Sequence, residues 1–562
     1  MAVEKRSNEA EVRNGGSIGY WLEVGKTAHF ALINGHSPRQ VLTSVGRYLS
    51  LGEIMSSGVQ ELRTIVQEGI RVQRGGADPV DYIDAANAVR DAIARQNHVI
   101  FGRRGCGKTL LLHEAAKRVQ DSVRVVYVNC EDYKQHSFPN VLIEILDRLF
   151  GELEKHLPGW FGKKKRSRDL ICEIRSELSR LQERADEVDT KVKETASTED
   201  SSKGAFGISA GGLTLGAEAV AAQKAAIEEE YQRHDSKIHK LNLLLPRLKE
   251  QIKEFFELSG EVKTVFLALD DFYHLPRTMQ PHVTDYIHRL CKDVPLYFKI
   301  ATLRHASVLY ADRGKQPTGA QERNDYQPIN VDFTLADFKR TSSQLRRILY
   351  SYGERAHMKQ EEVDGLFMGL GFDRLVLASG GVPRDFLSLL LEALSPKMPG
   401  EETIGKDDVR ILSLGVFQRR IEELKIDSEQ QDQDALLRGI YAIRKFCLEN
   451  QVNVFLVPDR ALQEQDGLRE LLNRLLDYRI IHSVGGALTH KSSPGTFAAF
   501  MIDIGAYANL RKLEGRFREI DVTAADAKEQ CRNAPILDRN TLDHLFRSAP
   551  PKVESALLAE AS

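Results

Sequence analysis

Twelve consecutive residues, His98-Val99-Ile100-Phe101-Gly102-Arg103-Arg104-Gly105-Cys106-Gly107-Lys108-Thr109, carry the most specific chemistry in the chain. They fit G-x-x-x-x-G-K-[ST] at every fixed position. An apolar run with the character of a buried strand precedes them, and Leu110, Leu111, Leu112 and Ala115 follow on a helical period. A loop of this kind binds phosphate. Its glycines let consecutive backbone N–H groups and the N-terminus of the next helix converge on anionic oxygens, while Lys108 adds a mobile positive charge. Thr109 is placed to ligate Mg²⁺. Gly102, Arg103, Arg104, Gly105, Cys106, Gly107, Lys108, Thr109 and Leu110 are therefore the candidate binding residues, with Cys106 a small spacer rather than a redox sensor.

A second constellation lies far downstream. Val262 to Leu269 is apolar but for Lys263 and Thr264, and it ends in Asp270-Asp271. A hydrophobic strand ending in two acids after a phosphate loop is the Walker B arrangement. Burial of the strand puts the acids at its C-terminal end, where α/β sheets bind ligands. Asp270 would hold Mg²⁺ through water, and Asp271 would polarise the attacking water. Another strand, Leu296 to Thr302, ends in a hydroxyl, with Arg304 close behind, and Gly380-Gly381-Val382-Pro383-Arg384-Asp385 enters a helix from Phe386 to Leu394.

These chemical residues need a parallel sheet to position them. The segments before and after the phosphate loop run β-loop-α-β-α, with a second strand at Val123 to Cys130 and an amphipathic helix from about Phe138 to Leu157. The rhythm then stops for about 100 residues. Ile171, Ile174, Leu178, Leu181, Ala185, Val188 and Val192 alternate spacings of three and four, as do Ile227, Tyr231, His234, Ile238, Leu241, Leu245, Leu248, Ile252 and Phe255. Two such seams joined by a Ser- and Gly-rich tip predict an antiparallel coiled-coil hairpin, suited to a protein partner, with a kink at Pro246. At its base, Lys163-Lys164-Lys165-Arg166-Ser167-Arg168 is either a solvated helix start or a phosphate-binding patch.

Taken together, Val126-Tyr127-Val128-Asn129-Cys130, the Asp270-Asp271 pair, the strand ending in Thr302 and the Gly-Gly-Val-Pro-Arg stretch resemble the origin-recognition/initiator clade of AAA+ ATPases. The likeness is to its bacterial ORC-CDC6-like members, and the related STAND signalling ATPases look similar over the same residues. The resemblance covers roughly residues 78 to 157 and 260 to 510. It implies an ATP- and Mg²⁺-dependent ATPase, slow because Asp271 stands where many of the class carry the longer Glu. It also implies that Thr302 senses the γ-phosphate, that Arg384 in a helical lid reaches back to the phosphates, and that residues from Asp78 to Arg95 shelter the base. Sites in this class usually sit at subunit boundaries, so a homo-oligomer is expected, with Arg304 or Arg313 as the arginine supplied to a neighbour.

The expected fold is α/β: a parallel-sheet P-loop AAA+ core (78–160 and 259–330) with the coiled-coil hairpin inserted at 161–258, a helical lid (331–430) and a winged-helix-like domain (431–510). A polar arm and helices (1–77) precede it, and a polar tail (511–562) follows. The winged-helix-like stretch has Arg469, Arg474 and Arg479 on or after its candidate recognition helix. From 436 to 505, however, eight Lys/Arg stand against seven Asp/Glu, a poor field for releasing counterions from DNA. DNA and a protein both remain open as the ligand. The net charge of −2 over 562 residues adds no global footprint for nucleic acid. Six scattered cysteines without a C-x-x-C pair suggest neither a disulfide framework nor zinc. No run approaches the ~18 apolar residues of a membrane span and the first residues lack a signal-peptide core, so a cytoplasmic protein without membrane contact is expected.

Overall fold

A computed structural model describes residues 11–14, 17–24, 27–33, 57–70, 82–84, 87–157, 161–183, 208–209, 212–213, 225, 235–312, 317–398, 403–428, 430–508, 517–524 and 526–559. Near the N-terminus, β1 (Glu11–Asn14), β2 (Ser17–Val24) and β3 (Thr27–Ile33) form an antiparallel meander, and a helix covers 57–69. The meander corrects the expectation of a polar arm. In the sequence, apolar residues recur every second position at Ile18, Tyr20, Leu22 and Val24, which is the period of a strand.

The core is a five-stranded parallel sheet. β4 (His98–Phe101), β5 (Val123–Asn129), β8 (Thr264–Asp270), β9 (Leu296–Thr302) and β12 (Gln327–Asn330) lie in the order β12-β4-β9-β8-β5. Two short hairpins are set apart from it: β6 (Ile208–Ser209) with β7 (Gly212–Leu213), and β10 (Tyr310–Asp312) with β11 (Pro317–Gly319). This is the P-loop α/β core that the motifs require. Register explains how it builds a site. Phe101 pairs with Thr302, and Asn129 pairs with Asp270, so the loops after β4, β5 and β8 leave from one edge of the sheet. β8 is buried along its whole length, which fixes the acids that follow at that edge.

The helix from Gly162 to Glu183 and that from Asp235 to Ser259 belong to the inserted segment, and the second continues through Pro246. Their apolar seams do not close only on each other. Ile171, Ile174, Leu178, Ile238, Leu241 and Phe255 share one buried cluster with Val141, Ile145 and Leu149 of the helix Phe138–Lys155, so the base of the insertion is a layer of the core. Ala185, Val188, Val192, Ile227, Tyr231, His234 and most of the Gly-rich tip lie outside the described residues. Lys163, Lys165 and Arg166 are exposed on the first turns of their helix.

Beyond the sheet come the helices Phe338–Arg355, Gly371–Ser379, Pro383–Leu394 and Lys406–Asp427. The helix Gln430–Glu449, β13 (Val454–Pro458), two helices (Asp459–Glu464 and Asp466–Asp477), β14 (Ile481–Thr489) and β15 (Thr496–Ile502) then form a C-terminal module on a three-stranded antiparallel sheet. The polar tail is also corrected: three helices, Ala527–Cys531, Arg539–Arg547 and Val553–Ala559, pack on this module. Cys531, Leu537, Leu542, Phe546 and Leu557 are buried in the same cluster as Leu345, Phe386 and Leu471, so helical lid, module and tail share a single hydrophobic core.

Candidate functional site

The phosphate loop bends at Gly105 and Gly107, both in the left-handed region with φ +88° and +87°. A side chain at Gly105 would also meet the Cβ of Arg384 at 2.8 Å, so this glycine serves both the turn and the approach of the lid helix. The Arg384 N–H donates to the Gly105 carbonyl at 3.3 Å. Gly107 caps the helix Lys108–Arg118, whose N-terminus faces the loop. Lys108 is buried, and its Nζ donates to the carbonyls of Gly102 (2.9 Å) and Arg103 (3.2 Å). Burial pulls its pKa down, against the opposing pull of nearby groups that include Asp271 and Asp270.

Gly105, Gly107, Lys108, Thr109, Arg104, Asp271 and Arg384 line one cavity of about 800 Å³. That volume lies in the range that holds a nucleotide-sized ligand. The lining is strongly charged, with Arg419, Arg420 and Arg479 adding cations and Glu131, Asp385, Glu392 and Glu423 adding anions. A smaller cavity of about 110 Å³ adjoins it, walled by Tyr82, Ile83, Leu110, Val331, Ile348 and Leu387. Leu110 therefore belongs to an apolar pocket, and Tyr82 and Ile83 bring the segment before β4 to its wall, where the expected base shelter would be. The helix in that segment is short, Ala88–Ala92, and the N–H groups of Ala88 and Val89 donate to the Asp84 carboxylate.

Arg103 and Cys106 serve the scaffold. Arg103 turns away from the cavity and binds Asp332 with Nε and Nη2 at 2.8 Å each, and it also donates to the Phe333 carbonyl. Burial alone would raise the Asp332 carboxyl, but Arg103 outweighs it and holds the group below the usual carboxylate range. The Cys106 thiol donates to Asp332 at 3.3 Å and burial pushes its pKa up, so it is an inert packing group, as a spacer should be. Arg104 pairs with Asp427 at 2.8 Å.

At the acid pair, Asp270 is fully buried. Its carboxylate accepts from the Tyr127 hydroxyl and from the Asp271 N–H. Carboxylate and hydroxyl oxygens suit Mg²⁺, and Asp270 with Thr109 would hold it, a carboxylate having lone pairs to spare beyond these two bonds. Asp271 adopts φ +51°, a conformation rare outside glycine that is found at functional turns. Its carboxylate, that of Glu131 and a ring nitrogen of His274 lie within 4.8 Å of one another. Burial lowers the His274 pKa, which favours the neutral ring. Glu131 escaped the sequence reading. It sits one residue beyond Cys130, next to the acids only because β5 pairs with β8.

Two expected residues are placed elsewhere. Thr302 is buried at the end of β9, with its hydroxyl bonded to Ser307 rather than in the lining of the charged cavity. Arg304 stacks over the Phe101 ring at 4.0 Å and pairs with Glu322 (3.0 Å) and Asn330 (2.8 Å), outside the lining of the charged cavity. Arg313 lies outside the described residues.

The C-terminal module supplies what no motif announced. Arg479, at φ +60° between the helix Asp466–Asp477 and β14, is 2 % exposed. Its Nη1 donates to the Arg104 carbonyl of the phosphate loop at 2.8 Å, and its Nε lies 3.2 Å from Asp385. The candidate recognition helix is itself docked on the core. Glu470 accepts from Arg277 at 2.8 Å, and buried Asp477 accepts from the N–H groups of His305 (3.0 Å) and Ala306 (2.7 Å). Arg474 and Arg479, placed on or just after the candidate recognition helix, are buried and so are not surface residues in this structure. Arg469 stays half-exposed beside Asp466.

No protein-family model matches the chain, and no curated protein is similar to it in sequence. Among solved structures, a point mutant of RuvB from Thermotoga maritima aligns with 75% of this chain and 92% of its own at 11% identity, with a TM-score of 0.28. A second RuvB mutant from that organism aligns over 74% and 88% at 12% identity (TM-score 0.25). A signal transduction ATPase with numerous domains (STAND) from Pyrococcus horikoshii, carrying a tetratricopeptide repeat sensor, aligns over 88% of this chain and 49% of its own at 13% identity (TM-score 0.25).

If the cavity takes Mg·ATP, Asp271 is the residue expected to orient the attacking water. Asp271→Asn is expected to slow ATP turnover about 100-fold or more while leaving nucleotide affinity unchanged by calorimetry. Unaltered turnover would hand the role to Glu131.

Proposed function

We propose that the protein is a Mg²⁺-dependent, slowly hydrolysing ATPase of the AAA+ type that works as a conformational switch. The nucleotide at Gly102 to Thr109 controls whether the C-terminal module stays docked. One observation carries this reading: Arg479 of the module reaches the same charged cavity as Lys108 and Arg384 and donates to the backbone of the phosphate loop. Phosphates entering that cavity meet a cation belonging to the module, so nucleotide and docking are coupled through shared charges. The α-β-α-α-β-β order of the module is winged-helix-like, as in the ORC-CDC6-like and STAND relatives that the sequence resembles. With its helix Asp466–Asp477 packed on the core, the docked state favours a STAND-like switch acting through a protein partner. Action on DNA would require the helix Asp466–Asp477 to undock first. Arg304 would serve a neighbouring subunit only after leaving Glu322 and Asn330.

Hydrogen exchange tests the reading. Exchanging ADP for a non-hydrolysable ATP analogue is expected to raise exchange across the helix Asp466–Asp477 and the start of β14, where docking hides the backbone. Binding of both nucleotides without any change there would sink the switch. Turnover strongly stimulated by duplex or single-stranded DNA would restore nucleic acid as the ligand.

A further inference from the structure

Gln344 sits on the lid helix Phe338–Arg355, is 5 % exposed and lines the apolar cavity beside the phosphate loop. Its Nε2 donates to the Ile83 carbonyl at 2.9 Å. A carbonyl can only accept, so this bond fixes which way the amide points. The other end, Oε1, is buried without a hydrogen-bond partner. An acceptor left in this condition inside a wall of Tyr82, Ile83, Val331, Ile348 and Leu387 costs free energy unless a ligand donor meets it.

From this we infer that Gln344 selects the base: its Oε1 accepts from the exocyclic amine of a 6-aminopurine and disfavours a 6-oxopurine, whose oxygen would face it acceptor to acceptor. The inference rests on the phosphate-loop reading above, because the loop's phosphates place the base in this cavity. It adds what that reading leaves undecided, namely which side chain tells adenine from hypoxanthine. The lid acquires a second role as well. Ile83 precedes the phosphate loop and Gln344 belongs to the lid, so the amide ties the two walls together and reads the base at their junction. Pocket shape alone discriminates weakly between purines of similar outline, whereas a buried polar group left unpaired discriminates strongly.

Calorimetric titration with ADP, IDP and pyrophosphate, all with Mg²⁺, is the test. IDP differs from ADP in carrying oxygen for the amine. The wild-type protein is expected to bind ADP about 10-fold or more tightly than IDP. Gln344→Leu, and the volume-conserving Gln344→Met as a second variant, are expected to bring the ADP to IDP ratio within about twofold while leaving pyrophosphate affinity unchanged. The wild-type comparison needs no variant to fold. Equal affinity for ADP and IDP in the wild type, or a preference that persists in both variants, overturns the inference. ADP binding no tighter than pyrophosphate overturns it too, yet leaves the phosphate site standing. If neither nucleotide nor pyrophosphate binds, the phosphate-loop reading falls, and this one with it.

Discussion

Lys108→Ala is expected to weaken binding of Mg·ATP about 100-fold or more, equivalent to ~3 kcal/mol, and to abolish turnover. Loop amides and the helix N-terminus orient phosphate, but they cannot replace a cation that follows the transferred group. Lys108 is buried and now spends its ammonium on the Gly102 and Arg103 carbonyls, so its partners belong to the loop itself and the substitution leaves the sheet intact. An unchanged melting temperature beside lost nucleotide affinity is therefore the expected pair of results. Full affinity by calorimetry would remove the phosphate site from this loop.

Arg420→Ala should produce the largest loss of stability, about 3–5 kcal/mol, because it strips one partner from a buried charge cluster. Arg420 is 2 % exposed. It pairs with Asp503 at the end of β15 and with Asp385 (2.9 Å) at the start of the helix Pro383–Leu394, and it donates to the Ala378 carbonyl (2.9 Å). His482 also holds Asp503 at 3.0 Å, and Arg479 also holds Asp385. Arg420→Met keeps much of the stem packing and so separates charge from volume. Burial would raise the Asp385 pKa, but Arg479 and Arg420 outweigh it and the net shift is downward. The sign follows from that direction. The stabilisation is present above the ordinary carboxylate pKa and is lost as pH falls through the depressed value of Asp385. Urea unfolding of both variants against the wild type measures the effect. A loss under about 1 kcal/mol would mean that His482 and Arg479 suffice to hold the two carboxylates.

The docking surface has a physical logic visible in these residues. Lid and C-terminal module share a hydrophobic core, whereas the hydrogen bonds that hold the module to the sheet domain make a polar seam. Arg277 to Glu470, Asp477 to the backbone of His305 and Ala306, and Arg479 to Arg104 are bonds that water can replace. A polar seam separates at lower cost than an apolar one, which is what a switch needs.

What the sequence by itself determined was everything written in local spacing. The phosphate loop, the buried strand ending in Asp270-Asp271 and the lid turn before Arg384 are contiguous patterns whose chemistry follows from the residue types, and the structure brings Lys108, Thr109, Asp271 and Arg384 around one cavity. The strands 123–129, 264–270 and 296–302 were legible because their apolar runs are long and bounded. The meander at 11–33 and the helical tail were legible in principle, through a period of two and through Leu542, Leu545 and Phe546 at helical spacing, but their many polar residues masked the pattern. Tertiary structure alone decided the rest. Glu131 joins Asp271 only because two strands pair in register. Arg474 on the helix and Arg479 just after it look like solvent-facing basic residues until the element packed against them is known. Gln344 meets Ile83 across 261 residues. Spacing encodes which face of an element is apolar, but which other element covers that face is a property of the packed whole.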